Sequence, residues 1–568
     1  MKLFKICFVF VFILLAGQSA QSSTNPEQVN KKATDRIAAF TKVWGLLKYY
    51  HPQVAAGSIN WDSVFVAYVP KVTAAKNQKQ FYRLMDELYT SVPAAKLAPK
   101  YNLPKADTIT SVFTTSEIGN YTISANLKKQ LEALYERHLP AESKYITNKY
   151  KEYTLDYVLF LEEPMADVAY PNQETRLLAL ARYWNTINFF YPHKQTIGKN
   201  WDTLLETYIP VFSEVKDETA YHLAIQKLNR ELVDSHAFLR SPVLDGMWGP
   251  KPPFYLSYVE DKFVVTKLVS DSLATAQGIK LGDVVVSING KPVKERVDYL
   301  LPLLRCSNQA TTYRDIADYL LHVDNTNKVT IELQRGPERI TKSIDRYPYQ
   351  QLMKLQDKPK QELWREVAES IIWVDFGAIK DTTKLPALFA ELKNAKTVIW
   401  DLRKYPNYDV YLQAIPALFQ QQLPVSMSAN AMVNYPGFFT ESTAAFERPE
   451  KTELTPYFGN MIVLVNEYTQ SMGESCALNL AQRPNTIVMG SQTAGTTGNV
   501  TWLPLPGGAR IAFTGVGERG AKGTFEQRKG VRIEKQVKQT IASIKSGKDA
   551  LLEAAILEAQ KQSIGLKE

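Results

Sequence analysis

The chain has 568 residues, of which 45% are apolar and 22% charged, and a formal net charge of +9. That composition is ordinary for a globular protein, and the length allows three or four domains, so disordered and fibrous classes are excluded. The positive excess is spread thinly, with no run of five or more Lys/Arg, so solubility accounts for it better than a nucleic-acid partner.

At the N-terminus, Lys2 and Lys5 precede an eleven-residue apolar stretch, Ile6 to Ala16, followed by Gly17-Gln-Ser-Ala20. The pattern predicts a secretory signal peptide over residues 1–20, too short to span a bilayer and cleaved near Ser19 or Ala20. Gln18 stands where a bacterial lipoprotein would need cysteine. No membrane anchor is therefore expected, and the expected location is secreted or periplasmic. Cys7 leaves with the signal. Cys306 and Cys476 fall in different predicted domains and read as free thiols without metal-site spacing.

An internal repeat follows. Arg36 to Asp62 matches Arg176 to Asp202 at an offset of 140 residues, pairing Trp44 with Trp184, Pro52 with Pro192, and Asn60-Trp-Asp62 with Asn200-Trp-Asp202. Two related helical units are the simplest explanation. The first is an N-terminal helical repeat domain with a mixed α/β extension over 25–170, and the second covers 171–248. The copies diverge at Glu87-Leu-Tyr-Thr-Ser91-Val92 and Glu231-Leu-Val-Asp-Ser235-His236. A packing role would be needed in both copies, so a histidine in only one points to chemistry at His236. His51 and His193, in aromatic-rich turns, read as packed surface histidines.

A Pro/Gly-rich linker, Gly246 to Pro253, opens a different composition. Gln277-Gly-Ile-Lys-Leu-Gly282-Asp283-Val-Val-Val-Ser-Ile-Asn289-Gly290-Lys-Pro-Val293 reads as a helix end, a tight turn and a hairpin with an Asn-Gly turn. On these residues, 253–345 resembles a PDZ domain. The resemblance implies a β-rich module that takes an extended C-terminal peptide as an added strand. The glycine-rich carboxylate loop of such modules is not obvious around Pro253 to Ser257.

From 360 to 563 the pattern alternates. Strands are expected at Ile371 to Phe376, Thr397 to Leu402, Met461 to Val465 and Thr486 to Met489, interleaved with helices such as Leu385 to Asn394 and Met472 to Ala481. That is an α/β layered domain. Gly515-x-Gly517-x-x-Gly520 fits a dinucleotide fingerprint but lacks the helix that must follow, so no cofactor is expected. Met461-Ile-Val-Leu-Val465 reads as a strand buried on both faces, which puts Ser471 on the strand-to-helix turn. Such a turn presents a hydroxyl beside the free N–H groups of a helix start. Ser471-x-x-Glu474 is also a capping-box spacing, so a purely structural serine is the alternative.

Four segments together resemble the C-terminal-processing (tail-specific) serine peptidases, tricorn-type branch, over residues 175–560: Leu232-Val-Asp-Ser235-His236, Val398-Ile-Trp-Asp401-Leu-Arg403, Thr469-Gln-Ser471-Met-Gly-Glu474 and Phe525-Glu526-x-x-x-Gly530-Val531. The resemblance implies a multidomain α/β protein, with helical N-terminal repeats and a PDZ-like domain before a crotonase/Clp-protease-like peptidase domain at 360–563. One branch uses a lysine base about 25 residues beyond the serine. Thr496 occupies that position here and cannot act as a base. The other branch implies catalytic roles for Ser471, His236, Ser235 and Glu526, without metal or cofactor, and an oxyanion hole from the backbone N–H of Met472 and a segment after Arg403. That segment, Lys404-Tyr-Pro-Asn407-Tyr408, has no glycine, and Asn407 is the expected donor. The reading is a serine endopeptidase acting on a peptide or protein, its C-terminal tail held by the PDZ-like module. The alternatives are a catalytically silent peptide- or ligand-binding relative on the same scaffold, and an esterase or amidase.

Overall fold

The computed structural model of the chain describes residues 26–97, 109–137, 143–151, 154–246, 248–304, 306–357, 362–419, 423–446, 454–520 and 525–565; the expected signal segment lies outside them. Helices Pro26–Tyr50 and Gln173–Phe190 cross, and each packs on the helix that follows it, Trp61–Thr73 and Trp201–Glu214. Two indole bonds clamp each pair. Trp44 Nε1 donates to Trp61 O at 2.9 Å and Trp61 Nε1 to Trp44 O at 3.0 Å. Trp184 and Trp201 make the same exchange at 2.9 and 3.1 Å. Asn60 and Asn200 cap the second helix of each pair through their side chains. Where the long helices cross, a Cβ on Gly45 would lie 1.9 Å from Asn185 Oδ1, so a side chain there is excluded.

A charged cluster sits inside this helical half. Lys48 Nζ meets Glu162 at 2.7 Å, Arg182 reaches Glu162 at 3.4 Å, and Arg182 is ion-paired with Asp62. Lys48, Arg182 and Glu162 have side chains at most 1% exposed. His51, read as a surface residue, is instead buried, which pushes its pKa down to about 4.

Residues 254–345 form an antiparallel sheet in the order Glu338–Asp345, Lys328–Arg335, Val284–Ile288, Lys262–Leu268, Phe254–Val259. Asn289 and Gly290 have φ of 49° and 77°, the pair of positive values that an Asn-Gly hairpin turn supplies. Helix Gln309–Tyr319 lies against the edge strand Phe254–Val259.

The last domain is layered around a six-stranded sheet. Its strands run Trp364–Ala368, Ile371–Asp375, Thr397–Asp401, Asn460–Val465, Thr486–Gly490, Lys535–Gln536, antiparallel at the first pair and parallel thereafter. Ile371, Ile399, Ile462, Leu464 and Met489 face Leu551, Leu552, Ala555 and Ala559 of helix Ala550–Gly565. Val374, Val398, Trp400, Met461 and Val463 face the opposite layer, which includes helices Leu385–Leu392 and Met472–Leu480. Coverage on both sides explains why these strands read as unbroken apolar runs.

Two smaller sheets join the halves. Leu239–Arg240, just beyond the second helical unit, pairs antiparallel with Ala509–Thr514, which pairs in turn with Val500–Leu505. The chain then passes through Gly515 into strand Val516–Gly520 of a four-stranded sheet, so Gly517 and Gly520 lie on a strand, and among the described residues the next helix begins at Ile541. Cys306 and Cys476 are free and buried. Among the described residues, no helix is long and apolar enough to cross a membrane.

Removing one member of the buried charged cluster strands the others, which costs about 3–5 kcal/mol. Arg182→Met is therefore expected to shift the urea midpoint of the helical half down by that equivalent, read by fluorescence of Trp44, Trp61, Trp184 and Trp201. An unshifted midpoint would mean the cluster contributes nothing net.

Candidate active site

Strand Asn460–Val465 ends at the carboxyl edge of the sheet, and the turn after it carries Ser471 into helix Met472–Leu480. Thr469 pins that turn. Its hydroxyl donates to Leu402 O at 3.0 Å, and its carbonyl accepts Ala494 N–H at 3.0 Å. Ser471 adopts φ 53°, ψ −120°, a strained conformation for a residue with a Cβ. Its N–H donates to Thr496 O at 2.9 Å, and its side chain makes no cap bond to the helix. The capping-box alternative is thus not realised at Ser471.

Glu474 staples a distant loop, while the Ser471 backbone N–H still acts on its carboxyl. It is fully buried and accepts from Thr493 Oγ1 at 2.5 Å, Gly495 N at 2.7 Å and Thr496 N at 2.9 Å. Burial pushes its pKa up to about 7, while the Thr493 hydroxyl and the N–H groups of Thr496 and Gly495 pull the other way.

His236 arrives from the helical half. Leu239 is opposite Ile511 and Arg240 opposite Arg510, and Ala512 N donates to Phe238 O at 2.8 Å. The same antiparallel register carried three residues further sets His236 opposite Thr514. Its Nδ1 lies 3.0 Å from Thr514 Oγ1 and 3.2 Å from Thr496 Oγ1. The Thr496 hydroxyl donates to Asp234 Oδ1 at 2.8 Å, so its oxygen is left to accept from Nδ1–H. With Nδ1 protonated the lone pair on Nε2 is free, the form a base requires. Burial lowers the His236 pKa, opposed by the negative charge of Asp234. Burial favours the neutral ring, and Asp234 favours the charged one.

Asp234 organises the cluster, a role its neighbours in sequence did not reveal. It is fully buried and accepts from His236 N at 2.9 Å and Thr514 N at 3.0 Å, with Tyr191 Oη at 3.5 Å. Burial alone would raise its pKa, but His236 and these donors outweigh it and hold the value below the ordinary range.

The other expected residues divide. Ser235 faces away from His236. Its N–H donates to Ser307 Oγ at 2.7 Å, and its Oγ accepts Ser307 N–H at 3.0 Å. Only its carbonyl turns toward the serine, accepting Gln470 Nε2 at 3.4 Å. Glu526 ends a two-residue strand paired with Gly530–Val531, and its side chain lies outside the described residues. The next residue, Gln527, donates from Nε2 to Thr496 Oγ1 at 3.3 Å. Asn407 has an ordinary φ of −81° and caps helix Tyr408–Ala414 through its side chain. Its N–H makes no hydrogen bond among the described residues, and neither does that of Met472. The neighbouring Pro406 ring abuts the serine helix at Gly473.

Ser471 and His236 are thus joined through Thr496, whose carbonyl takes the serine N–H and whose hydroxyl meets the imidazole; the described contacts include no direct bond between them. The β-rich domain braces the same place. Asn308 Nδ2 donates to Thr493 O, Ala494 O and Arg528 O at 2.8, 3.1 and 3.2 Å, and Arg314 Nη1 donates to Glu467 O at 2.8 Å and Gln470 Oε1 at 3.0 Å. No group of three or more His, Cys, Asp or Glu among the described residues could hold a metal.

A family match fixes the class of the α/β domain as a serine-type peptidase. The family is peptidase family S41, whose model matches residues 373–537. Among solved structures, mature CPAF complexed with lactacystin is 12% identical with a TM-score of 0.53, covering 69% of this chain and 98% of that one. Mature CPAF alone gives 12%, 0.50, 66% and 94%. The photosystem II D1 C-terminal processing protease gives 17%, 0.41, 64% and 93%. At such identities the CPAF likeness speaks to fold. No curated protein matches the chain.

Because the Glu474 pKa stands at about 7 against 4.5 for the free group, the folded state binds a proton that the unfolded chain releases across that window. Stability should therefore fall as pH rises from about 4.5 to about 7, by up to about 3 kcal/mol. Urea titrations of wild type and Glu474→Gln between pH 5 and 8 check this. The variant's pH dependence should be flatter, and parallel curves would contradict the assignment.

Proposed function

We propose that the protein is a secreted or periplasmic serine endopeptidase working through an acyl-enzyme. The carrying observation is that Thr496 binds the Ser471 N–H with its carbonyl and the His236 imidazole with its hydroxyl. His236 Nε2 takes the Ser471 proton, Ser471 Oγ attacks the peptide carbonyl, and the protonated ring then protonates the leaving amine. The imidazolium formed is stabilised by Asp234 across Thr496 and Thr514, which gives this chain an orienting carboxyl group besides Glu526. Ser235 acts from behind, fixing the histidine segment to Ser307. The oxyanion is met by Met472 N–H and Asn407 N–H, both without partners among the described residues. A rotation about the Ser471 side chain when substrate binds closes the remaining gap to Nε2, as apo catalytic bonds commonly tighten in the complex.

The β-rich domain is read as PDZ-like, presenting the substrate's C-terminal tail as a strand added to Phe254–Val259. Support comes from the helix packed along that edge strand and from its attachment to the Ser471 turn through Arg314. Tyr258 and Tyr313 stack across this groove with centroids 3.9 Å apart, so a tail must part them.

The competing reading, a silent binding relative, draws on the missing direct bond between Ser471 and His236. A fluorophosphonate probe separates the two. Mature wild type should label, Ser471→Ala should not, and His236→Ala should label about 10²–10⁴ times more slowly. Folded wild type that fails to label would leave only the binding scaffold. Peptide and ester substrate panels then separate peptidase from esterase.

A further inference from the structure

One carboxyl group beside the serine is not used by this chemistry. Glu518, on strand Val516–Gly520, is 7% exposed, and its Oε2 accepts from Thr497 Oγ1 at 2.6 Å and Ser475 Oγ at 3.0 Å. Ser475 is one helical turn beyond Ser471 and so on the same face of the helix; Thr497 Oγ1 also lies 3.4 Å from Ser471 O. The Glu518 carboxyl is therefore two hydrogen bonds from the backbone of the nucleophile. Its Oε1 receives no donor among the described residues, and no described cation pairs with it. Arg519 is ion-paired instead with Glu441. Ser471, Met472 and Ser475 are only half-buried, so this face of the helix is open to a ligand. Oε1 is not a buried orphan but an atom that solvent reaches, so a ligand that covers it must supply a donor in place of that water.

We infer that Glu518 is the specificity-determining residue of the subsite for the substrate side chain just before the scissile bond, and that it selects lysine or arginine there. This rests on the peptidase reading above. A cationic side chain laid along the helix from Ser471 toward Ser475 ends at Oε1 with its charge against the carboxyl group. An apolar side chain of equal length leaves that oxygen unpaired, and an acidic one meets repulsion. Such a site discriminates through the penalty of an unpaired buried group as well as through attraction.

The test uses fluorogenic peptides differing only at the residue before the cleaved bond: lysine, arginine, norleucine or glutamate. Wild type should show kcat/KM at least tenfold higher for lysine and arginine than for norleucine, with glutamate poorest. In Glu518→Gln the lysine-to-norleucine ratio should fall at least tenfold. Wild type that cleaves norleucine as readily as lysine overturns the inference even if the variant does not fold, and so does an unchanged ratio in a folded variant, which would leave Glu518 as a brace for Thr497 and Ser475. In either case peptide cleavage and fluorophosphonate labelling of Ser471 would leave the peptidase reading standing. Failure of wild type to cleave any peptide and to label removes both.

Discussion

Two residues of strand, Leu239–Arg240, carry the assembly of the site. Their pairing with Ala509–Thr514 sets the register that puts His236 opposite Thr514. A slip of one residue would turn the imidazole to the other face of the sheet. So short a pairing cannot hold itself, and its support comes from Asp234 bonding Thr514 N and from the packed helical half behind it. The buried ion cluster of Lys48, Arg182, Glu162 and Asp62 shares no ion pair with the site residues among the described residues. It matters because it fixes the body from which the histidine segment projects.

Three buried carboxyl groups lie near Ser471, and among the described residues each accepts from hydroxyls or backbone N–H groups and none is ion-paired. Asp234 holds the histidine and the end of strand Ala509–Thr514. Glu474 ties the serine helix to the Thr493–Thr496 loop. Glu518 braces Ser475 and Thr497, and its other oxygen has no donor among the described residues. Hydrogen bonds to the charged form offset desolvation. At Asp234 the nearby His236 charge and the hydrogen bonds together outweigh burial; at Glu474, where no opposite charge acts, burial wins. In the proposed mechanism the difference suits their tasks, since only Asp234 would face an imidazolium.

Much of the α/β domain was legible because its strands are buried on both faces: the apolar runs at Ile371, Thr397, Met461 and Thr486 coincide with strands to within a residue or two. The serine turn and the Asn-Gly hairpin were readable for the same local reason. What escaped was non-local. Asp234 stood in the quoted motif, but its partners Thr496 and Thr514 are some 260 and 280 residues away. Thr496 was read only as a lost lysine, although its hydroxyl is what touches His236. Ser235 was expected in the catalytic set; its hydroxyl meets the N–H of Ser307, 72 residues on. Glu474 had the spacing of a cap, and its carboxyl also holds a buried loop that the helix pattern could not show. Local pattern names the residue that can bond, while the fold chooses the partner.

The β-rich domain is fastened to this site through Asn308 and Arg314 at its helix Gln309–Tyr319, so whatever moves that helix acts on the loops holding Glu474 and Ser471. The account as a whole stands on the imidazole reaching the serine. A crystal structure of the mature protein with a peptidyl boronate bonded to Ser471 tests this most directly. It should show His236 Nε2 within about 3.2 Å of an adduct oxygen, with Nδ1 still held between Thr496 and Thr514. An adduct on Ser471 with the ring out of reach, or with Asp234 disengaged from Thr496, would contradict it.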